Sequence, residues 1–301
     1  MLWTFVAPLL LAGAKGALPD DANSTCFLQE QHRSRILARQ PDYGHPSWIQ
    51  SCKSIYLDVG SNKGVQIRKL FEPELYPNAP VLPLFTKTFG NATERCKPAA
   101  ESSICALGFE PNPQHQDRLK KLAAAYQNYG WHVHFYFMAA STEEGQVSFT
   151  GNGGGADLGA HLTLMQWEDV VVRAIDIASF ISSLPAGSVK LMKLDIEGEE
   201  FNVVDRLAEA GAVCKDVVQA AILEVHNVTS ITTWANTSRW GGREPSADGL
   251  ASFLQGQPCE HGAMDMLSQD DEQYFDDVNE DFGSANSCRN DAPPQAVTAA
   301  A

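Results

Sequence analysis

The chain has 301 residues, of which 44% are hydrophobic, and a formal net charge of −15. Its length is sufficient for one large α/β domain with appended segments. Acidic residues outnumber basic ones 37 to 22, which argues against a nucleic-acid partner because phosphates are bound by Lys and Arg. An anionic membrane surface is disfavoured for the same reason.

The first 17 residues are predicted to be a signal peptide. Residues 2–11 are almost wholly apolar, and Ala12-Gly13-Ala14 has the small-x-small pattern of a signal-peptidase site. The apolar run is too short to span a bilayer comfortably, so no stable membrane span is expected. A short signal anchor is the alternative. The segment predicts entry into the secretory pathway, with the chain in the ER or Golgi lumen or secreted.

Glycosylation sequons and cysteines agree with this route. Four sequons begin at Asn23, Asn91, Asn227 and Asn236. None of the seven cysteines forms Cys-x-x-Cys, so disulfides in an oxidising compartment are favoured over a zinc site. We expect two or three bridges that fasten peripheral segments, and no metal site.

Strands and helices alternate along the rest of the chain. Residues 18–53 are polar and predict an N-terminal extension, and the proline-rich residues 72–104 predict a surface insertion after the first helix. Periodicity predicts strands at 55–59, 104–109, 131–137, 147–150, 170–175, 189–194 and 217–225, and helices at 65–71, from Asn112 to Gly130, from Asp176 to 181, and at 201–208. This order predicts an α/β fold, a Rossmann-like doubly wound, mostly parallel sheet with helices on both faces. The domain would span 54–282, followed by a disordered tail at 283–301.

Three short segments, each at the end of an apolar run, carry the chemistry. Together they predict a nucleotide-type crevice at the carboxyl edge of a parallel sheet. They are Asp58-Val59-Gly60-Ser61-Asn62-Lys63-Gly64, Gly108-Phe109-Glu110-Pro111-Asn112 and Lys193-Leu194-Asp195-Ile196-Glu197-Gly198-Glu199.

The first two segments discriminate between cofactors. Gly60 and Gly64 allow a tight turn and a close approach to a ligand, but their spacing differs from the Gly-x-Gly-x-x-Gly of pyrophosphate binders. Asp58 suits a pyrophosphate poorly and an amino-acid-bearing cofactor with a positive sulfur well. S-adenosylmethionine is therefore favoured over NAD, and an NAD-type oxidoreductase is the disfavoured alternative. Glu110 can accept hydrogen bonds from both ribose hydroxyls.

The three segments together resemble the FkbM family of class I S-adenosylmethionine-dependent methyltransferases. That family has strand-Asp-x-Gly-x-Asn-x-Gly, then Phe-Glu-Pro, then Lys-x-Asp-x-Glu-Gly-x-Glu, and the resemblance covers roughly residues 54–226. It implies S-adenosylmethionine as the cofactor and O-methylation of a glycan or a small hydroxylated metabolite. The resemblance also implies roles for individual residues. The methionine moiety would be surrounded by Asp58, Gly60, Asn62 and Gly64, and the ribose would be held by Glu110 with Pro111 beside it. The adenine would lie near Ala140 and Ser141, and the acceptor would face Asp195, Glu197 and His226.

Methyl transfer to a hydroxyl needs alignment and the removal of a proton. Alignment can lower the barrier by about 7–11 kcal/mol, and a positioned base contributes about 10²- to 10⁴-fold. His226, close to Glu224, is the first candidate base, with Glu197 and Asp195 as the others; alternatively His226 bonds the backbone at a strand end. A catalytically inactive secreted glycoprotein that keeps the fold as a binding module is the competing hypothesis. The oligomeric state is left open.

Overall fold

The computed structural model describes residues 41–150, 161–162, 170–196, 199–224, 247–268 and 280–283. The chain divides into two compact units, Met1–Pro41 and Asp42–Ala301, and the described residues from Asp42 onward belong to the second. The predicted signal peptide, most of the N-terminal extension and the tail beyond Gly283 lie outside the described residues.

The strands build one large sheet and one small sheet. In chain order they are β1 (Ser54–Val59), β2 (Ile104–Phe109), β3 (His132–Tyr136), β4 (Ala139–Ser141), β5 (Gly145–Thr150), β6 (His161–Leu162), β7 (Val170–Asp176), β8 (Val189–Leu194), β9 (Ala220–Leu223) and β10 (Asp265–Ser268). The large sheet has the order β10-β9-β8-β1-β2-β3, and all of its pairs are parallel. The chain winds from β1 outward to β3 and then returns to β8 on the other side of β1. The boundary between β1 and β8 is therefore the topological switch point, where open α/β sheets bind ligands.

Helices cover both faces of the large sheet. They are α1 (Val65–Phe71), α2 (Leu82–Phe89), α3 (Ala92–Arg95), α4 (Ala99–Ser102), α5 (Gln116–Asn128), α6 (Ile177–Ser183), α7 (Glu200–Glu209) and α8 (Ala247–Gln255). Alternate residues of β1 enter two separate apolar clusters: Leu57 packs with α6, α7 and α8, and Tyr56 packs with α1, α2 and α5. Within the described ranges, no helix is both long and apolar enough to cross a bilayer.

The predicted doubly wound, mostly parallel α/β fold is confirmed. Strands β1, β2 and β8 and helix α1 have nearly the predicted bounds. Asp176 begins α6 as expected, because its Oδ1 accepts a hydrogen bond from the main-chain nitrogen of Ala178 at 3.0 Å. Gly130 follows α5 with a φ of +77°, the left-handed conformation that ends many helices.

Two predicted boundaries are wrong for local reasons. Helix α5 begins at Gln116 and not at Asn112, because the Asn112 side chain accepts from the main-chain nitrogen of Gln114 at 3.0 Å and closes a separate turn. Strand β9 has four residues instead of nine. Its apolar N-terminal part turns, with Val218 donating to the carbonyl of Cys214 at 3.0 Å.

The small sheet was not predicted. Its order is β4-β7-β5-β6, with β4 parallel to β7 and β5 antiparallel to both of its neighbours. The apolar runs at 147–150 and 170–175 therefore pair with each other instead of joining the large sheet. Periodicity identified both strands but carries no information on which sheet they join.

Residues 72–104 are more buried and more helical than the expected surface insertion. They include α2, α3 and α4, and Phe85 is fully buried against β1. Arg95 is 2% exposed, and its Nε donates to the carbonyl of Leu70 at 2.8 Å. The prolines indicated a loop in the sequence, but a proline can also begin a helix. Pro83 lies in the first turn of α2, where a main-chain N–H would have no intrahelical partner.

Two disulfides join described residues. Cys52 bonds Cys105 in β2, and Cys214 bonds Cys259; Cys96 is also disulfide-bonded. The first bridge fastens the end of the predicted N-terminal extension to the large sheet, where Cys105 is fully buried. Such bonds persist in oxidising compartments.

The described end of the predicted N-terminal extension packs into the domain. Tyr43 and Ile49 are 3% and 5% exposed and belong to the cluster on the α6 side. His45 hydrogen-bonds the Tyr136 hydroxyl through Nδ1 at 2.8 Å and the Ser183 hydroxyl through Nε2 at 2.7 Å. These residues are therefore part of the folded core.

Residues 280–283 pack on the opposite face. The guanidinium groups of Arg68 and Arg118 each lie 5.1 Å from the centroid of the Phe282 ring, within the range of cation–π contacts. The main-chain nitrogen of Gly283 donates to Glu72 Oε1 at 2.9 Å. Gly283, the first residue of the predicted disordered tail, is thus anchored to Glu72, which directly follows α1.

Candidate functional site

The three sequence motifs meet at the carboxyl edge of the large sheet. In the strand register, Asp58 lies opposite Gly108 of β2 on one side and Lys193 of β8 on the other. Because β1 and β8 flank the switch point, the segments that follow these strands open on one crevice.

Asp58 is a fully buried acid at the end of β1. Neither of its carboxylate oxygens has a hydrogen-bond partner of good geometry among the described residues. The nearby Ser61 hydroxyl helps to lower the pKa of Asp58 but donates to the main-chain oxygen of Asp58, at 3.0 Å. Burial raises the pKa of Asp58 to about 6, although the positive charge of Lys193 lowers it. A buried carboxylate without donors is costly, so this group is suited to a ligand that brings N–H donors or a positive charge.

Gly60 allows the ends of β1 and β8 to approach each other. Its φ is +89°, and a Cβ atom here would lie 1.7 Å from the main-chain oxygen of Asp195. The main-chain nitrogens of Gly60 and Ser61 donate to the carbonyl of Phe109 at 3.1 and 2.8 Å. Gly64, with a φ of +80°, packs tightly against two leucines of α5. The loop is therefore fixed to both neighbouring strands and to one helix.

Asn62 connects the first motif to the second. Its φ of +49° is a left-handed conformation that asparagine tolerates. Its main-chain nitrogen donates to Glu110 Oε2 at 2.7 Å, and its buried Oδ1 has no partner among the described residues. This amide oxygen is a second acceptor, besides Asp58, that is available to a ligand.

Glu110 is fixed in a geometry that suits a diol. Its Oε1 accepts from the main-chain nitrogen of Asn112 at 2.8 Å, while Oε2 accepts from Asn62. Each oxygen keeps a further lone pair, so the carboxylate can accept one hydroxyl on each side. Burial raises the pKa of Glu110 to about 8, although the two amide donors lower it.

The raised pKa of Glu110 predicts a pH-dependent stability of the ligand-free protein. The carboxyl is protonated in the folded state up to about pH 8 but only up to about pH 4.5 when unfolded, so the folded state binds more protons between these values. Its contribution to the free energy of unfolding should therefore fall as the pH rises from 4.5 to 8, with a limiting slope of about 1.4 kcal/mol per pH unit.

Urea unfolding at pH 5, 7 and 9 of the wild type and of Glu110→Gln measures this contribution. Because Asp58 remains in both proteins, the difference between the two curves isolates Glu110. The wild type should lose stability relative to the variant as the pH rises. If the free energies of unfolding of the two proteins change with pH in parallel, the raised pKa of Glu110 is contradicted.

Asp195 is held by a buried lysine. Lys193 Nζ donates to Asp195 Oδ2 at 2.6 Å and to the carbonyl of Gly60 at 2.9 Å. Burial alone would lower the pKa of Lys193, but Asp195 and Asp58 raise it above its usual value. Lys193 is thus a permanent cation at the centre of the site, and Asp195 is its counter-ion.

The predicted adenine residues lie on the small sheet. Ala140 is buried and Ser141 is half-buried in β4, opposite Ile175 and Asp176 of β7. No hydrogen bond between described residues joins Ala140 or Ser141 to the other motifs. Pro111 is half-buried directly after Glu110. The cofactor-binding roles of these residues remain predictions.

Glu197 and His226 lie outside the described residues, so their predicted roles in catalysis stay untested. The structure does bring together Asp58, Gly60, Asn62 and Glu110, and it links them to Asp195. Of the three candidate catalytic residues, Asp195 is therefore the one whose position the structure describes.

Sequence reasoning assigned no role to Lys193 or Gly108. A Cβ atom at Gly108 would lie 2.5 Å from Ser61 Oγ, so this glycine makes room for the loop after β1. Lys193 interrupts the apolar run of β8 near its carboxyl end. A charged residue inside an otherwise apolar strand needs an explanation, so the sequence alone could have marked Lys193 as a candidate functional residue.

One group of described residues has metal-ligand spacing. Cys52, Cys105 and His132 place their ligand atoms within 4.8 Å of one another. The two sulfur atoms are joined in a disulfide, and only thiolates ligate metals. The group is therefore not a metal site in the oxidised protein, and it lies apart from the three motifs.

Comparison with known proteins gives one match. The family model described as "Methyltransferase FkbM domain" matches residues 58–259. No curated protein and no solved structure matches the chain. The matched span begins at Asp58 and includes all three motifs.

Proposed function

Because the chain belongs to the FkbM methyltransferase family, we propose that it is an S-adenosylmethionine-dependent O-methyltransferase. The acceptor would be a hydroxyl group of a glycan or a small metabolite. The buried carboxylate of Asp58, with no donor among the described residues, is the observation that supports this proposal most directly.

The described residues fit the cofactor's polar groups. Asp58 and the Asn62 side-chain oxygen would accept from the ammonium of the methionine moiety, and Glu110 would accept from the two ribose hydroxyls. Charged hydrogen bonds of this kind contribute about 1.5–3 kcal/mol each. The surplus of carboxylates around Lys193 also suits a ligand with a positive sulfur.

S-adenosylmethionine supplies an electrophilic methyl group on a sulfonium. The protein would hold the acceptor hydroxyl beside this methyl group, and a base of the protein would take up the hydroxyl proton. We assign this base to His226, with Glu197 as the alternative. Asp195 is better suited to holding Lys193, because one of its oxygens already accepts from that ammonium.

The reaction would take place in the lumen of the secretory pathway. The disulfides support an oxidising compartment, and the N-terminal apolar segment and the sequons support entry by a signal peptide. Glycans are abundant acceptors there, which favours glycan methylation.

Replacement of Asp58 by asparagine is expected to weaken binding of S-adenosylhomocysteine about 10- to 150-fold, the factor that corresponds to one charged hydrogen bond. Isothermal titration calorimetry on the folded proteins measures this effect. The matched control is Asp117→Asn, at an exposed aspartate in the first turn of α5, which should bind like the wild type. A wild-type protein without affinity for S-adenosylhomocysteine would refute the proposed function.

Catalysis is tested separately from binding. The wild type is incubated with methyl-labelled S-adenosylmethionine and a panel of neutral glycans and hydroxylated metabolites, and His226→Ala is compared on any acceptor that becomes labelled. Loss of transfer with retained binding would support His226 as the base. Tight binding without labelling of any acceptor would favour the inactive binding module.

A further inference from the structure

We propose that Lys193 is a positioning residue of this site: it fixes the cofactor loop at Gly60 and supplies the positive charge that offsets the surrounding carboxylates. The proposal rests on the proposed function, since it concerns the same cofactor.

Lys193 joins two of the three motifs directly. Its Nζ reaches the carbonyl of Gly60, in the loop after β1, and Asp195 Oδ2, just after β8. The side chain is 10% exposed. Because Gly60 and Asp195 also approach each other closely through their main chains, the ammonium group fixes the point at which the ends of β1 and β8 meet.

The strand register places Lys193 beside Asp58. The two residues are direct partners in the parallel pair of β1 and β8. Residues paired in this way project to the same face of a sheet, and the preceding alternate residues, Tyr56 and Leu191, both belong to the cluster on the α1 side. The ammonium therefore shares a face with the acid that we assign to the cofactor's amino group.

The charges around Asp58 are unbalanced without Lys193. Lys193 comes from β8 and Lys69 from α1, while Asp195 follows β8 and Glu110 follows β2. Glu224, at the end of β9, also acts on Lys193. Among the described residues that act on Asp58, removal of the Lys193 charge would leave Lys69 of α1 as the remaining cation.

A buried ammonium is costly unless it is paired. An apolar side chain would fill the same space without that cost. The presence of a lysine here is therefore explained by its positive charge and its hydrogen-bond donors, which an apolar side chain lacks. Replacement of Lys193 should change ligand binding in a manner that depends on pH.

The pH dependence follows from Asp58. Burial raises the pKa of Asp58 to about 6, and Lys193 is the main influence that lowers it. Without Lys193 the pKa should be higher, so that a larger fraction of Asp58 is protonated near neutral pH. A protonated Asp58 accepts less strongly from an ammonium group, and binding would then require a higher pH.

The test compares Lys193→Met with Lys193→Arg by calorimetry with S-adenosylhomocysteine from pH 5.5 to 9. For Lys193→Met, a rise of about one unit in the pKa of Asp58 should lower affinity roughly twofold at pH 7 and roughly eightfold at pH 5.5, because the ionised fraction of Asp58 falls by these factors. The pH at which affinity levels off should move upward. Lys193→Arg keeps the charge but not the donor geometry. It should keep the wild-type pH profile and lose affinity by a similar factor at every pH.

The outcomes separate the two proposals. A wild-type protein that binds no S-adenosylhomocysteine would overturn both. A wild type that binds, with a Lys193→Met variant of unchanged pH profile, would overturn the role of Lys193 alone. If Lys193→Met does not fold, Lys193→Arg decides: a profile shifted upward despite the retained charge, or an affinity equal to the wild type at every pH, would refute the proposal.

Discussion

Replacement of Gly60 by alanine should lower the free energy of unfolding by roughly 2–6 kcal/mol, the sum of a strained backbone and an overpacked contact. The φ of +89° is unfavourable for any side chain. The added methyl group would also collide with the main-chain oxygen of Asp195 at 1.7 Å. Since that oxygen belongs to the backbone and cannot rotate away, the end of β1 or of β8 must move. Chemical denaturation measures the loss.

A matched variant separates the two causes. Gly211 has a φ of +70°, and a Cβ atom there would meet nothing within 4 Å. Gly211→Ala should therefore show only the backbone cost, about 1–2 kcal/mol. If both variants lose the same stability, the close approach at Gly60 does not exist in solution.

Removal of the disulfide between Cys52 and Cys105 is expected to cost about 4 kcal/mol by the chain-entropy model. The two cysteines are 53 residues apart in the sequence, so the bond restricts a long loop in the unfolded chain. The Cys52→Ala/Cys105→Ala double variant should unfold at a markedly lower urea concentration than the wild type.

The second bridge provides the control. Cys214 and Cys259 are 45 residues apart, so the loop contribution should be nearly equal. Cys52 and Cys105 are 2% and 0% exposed, whereas Cys214 and Cys259 are half-buried. The first double variant should consequently lose more stability, because it also leaves a cavity. A Cys52→Ala/Cys105→Ala protein as stable as the wild type would contradict the packing of this bridge.

The centre of the large sheet was predictable because its strands are short apolar runs that end at a glycine or an acidic residue. The edge strand β10 was not predicted. Local patterns were enough for β1, β2 and β8. They failed for the small sheet, since the apolar runs of β5 and β7 look alike whether they pair with each other or join the large sheet. They failed also for residues 72–104, where prolines that begin helices were read as loop signals.

The sequence was enough to predict which residues belong to the candidate site, but not which of them contact one another. Asp58, Gly60 and Glu110 stand out because an acid or a glycine at the end of an apolar strand needs an explanation. The hydrogen bond between the Asn62 main chain and Glu110, residues 48 positions apart, depends on strand order and could not be read from spacing. Lys193 was overlooked because its partners, Gly60 and Asp195, become neighbours only when β1 and β8 pair.

The residues beyond the family match have a practical consequence. The match covers 58–259, yet β1 begins at Ser54, β10 pairs with β9 from Asp265 onward, and Gly283 satisfies Glu72. A recombinant fragment cut to the matched span would lose most of its central strand and expose β9 as a bare apolar edge. Such edges recruit strands from other molecules, so this fragment is expected to aggregate.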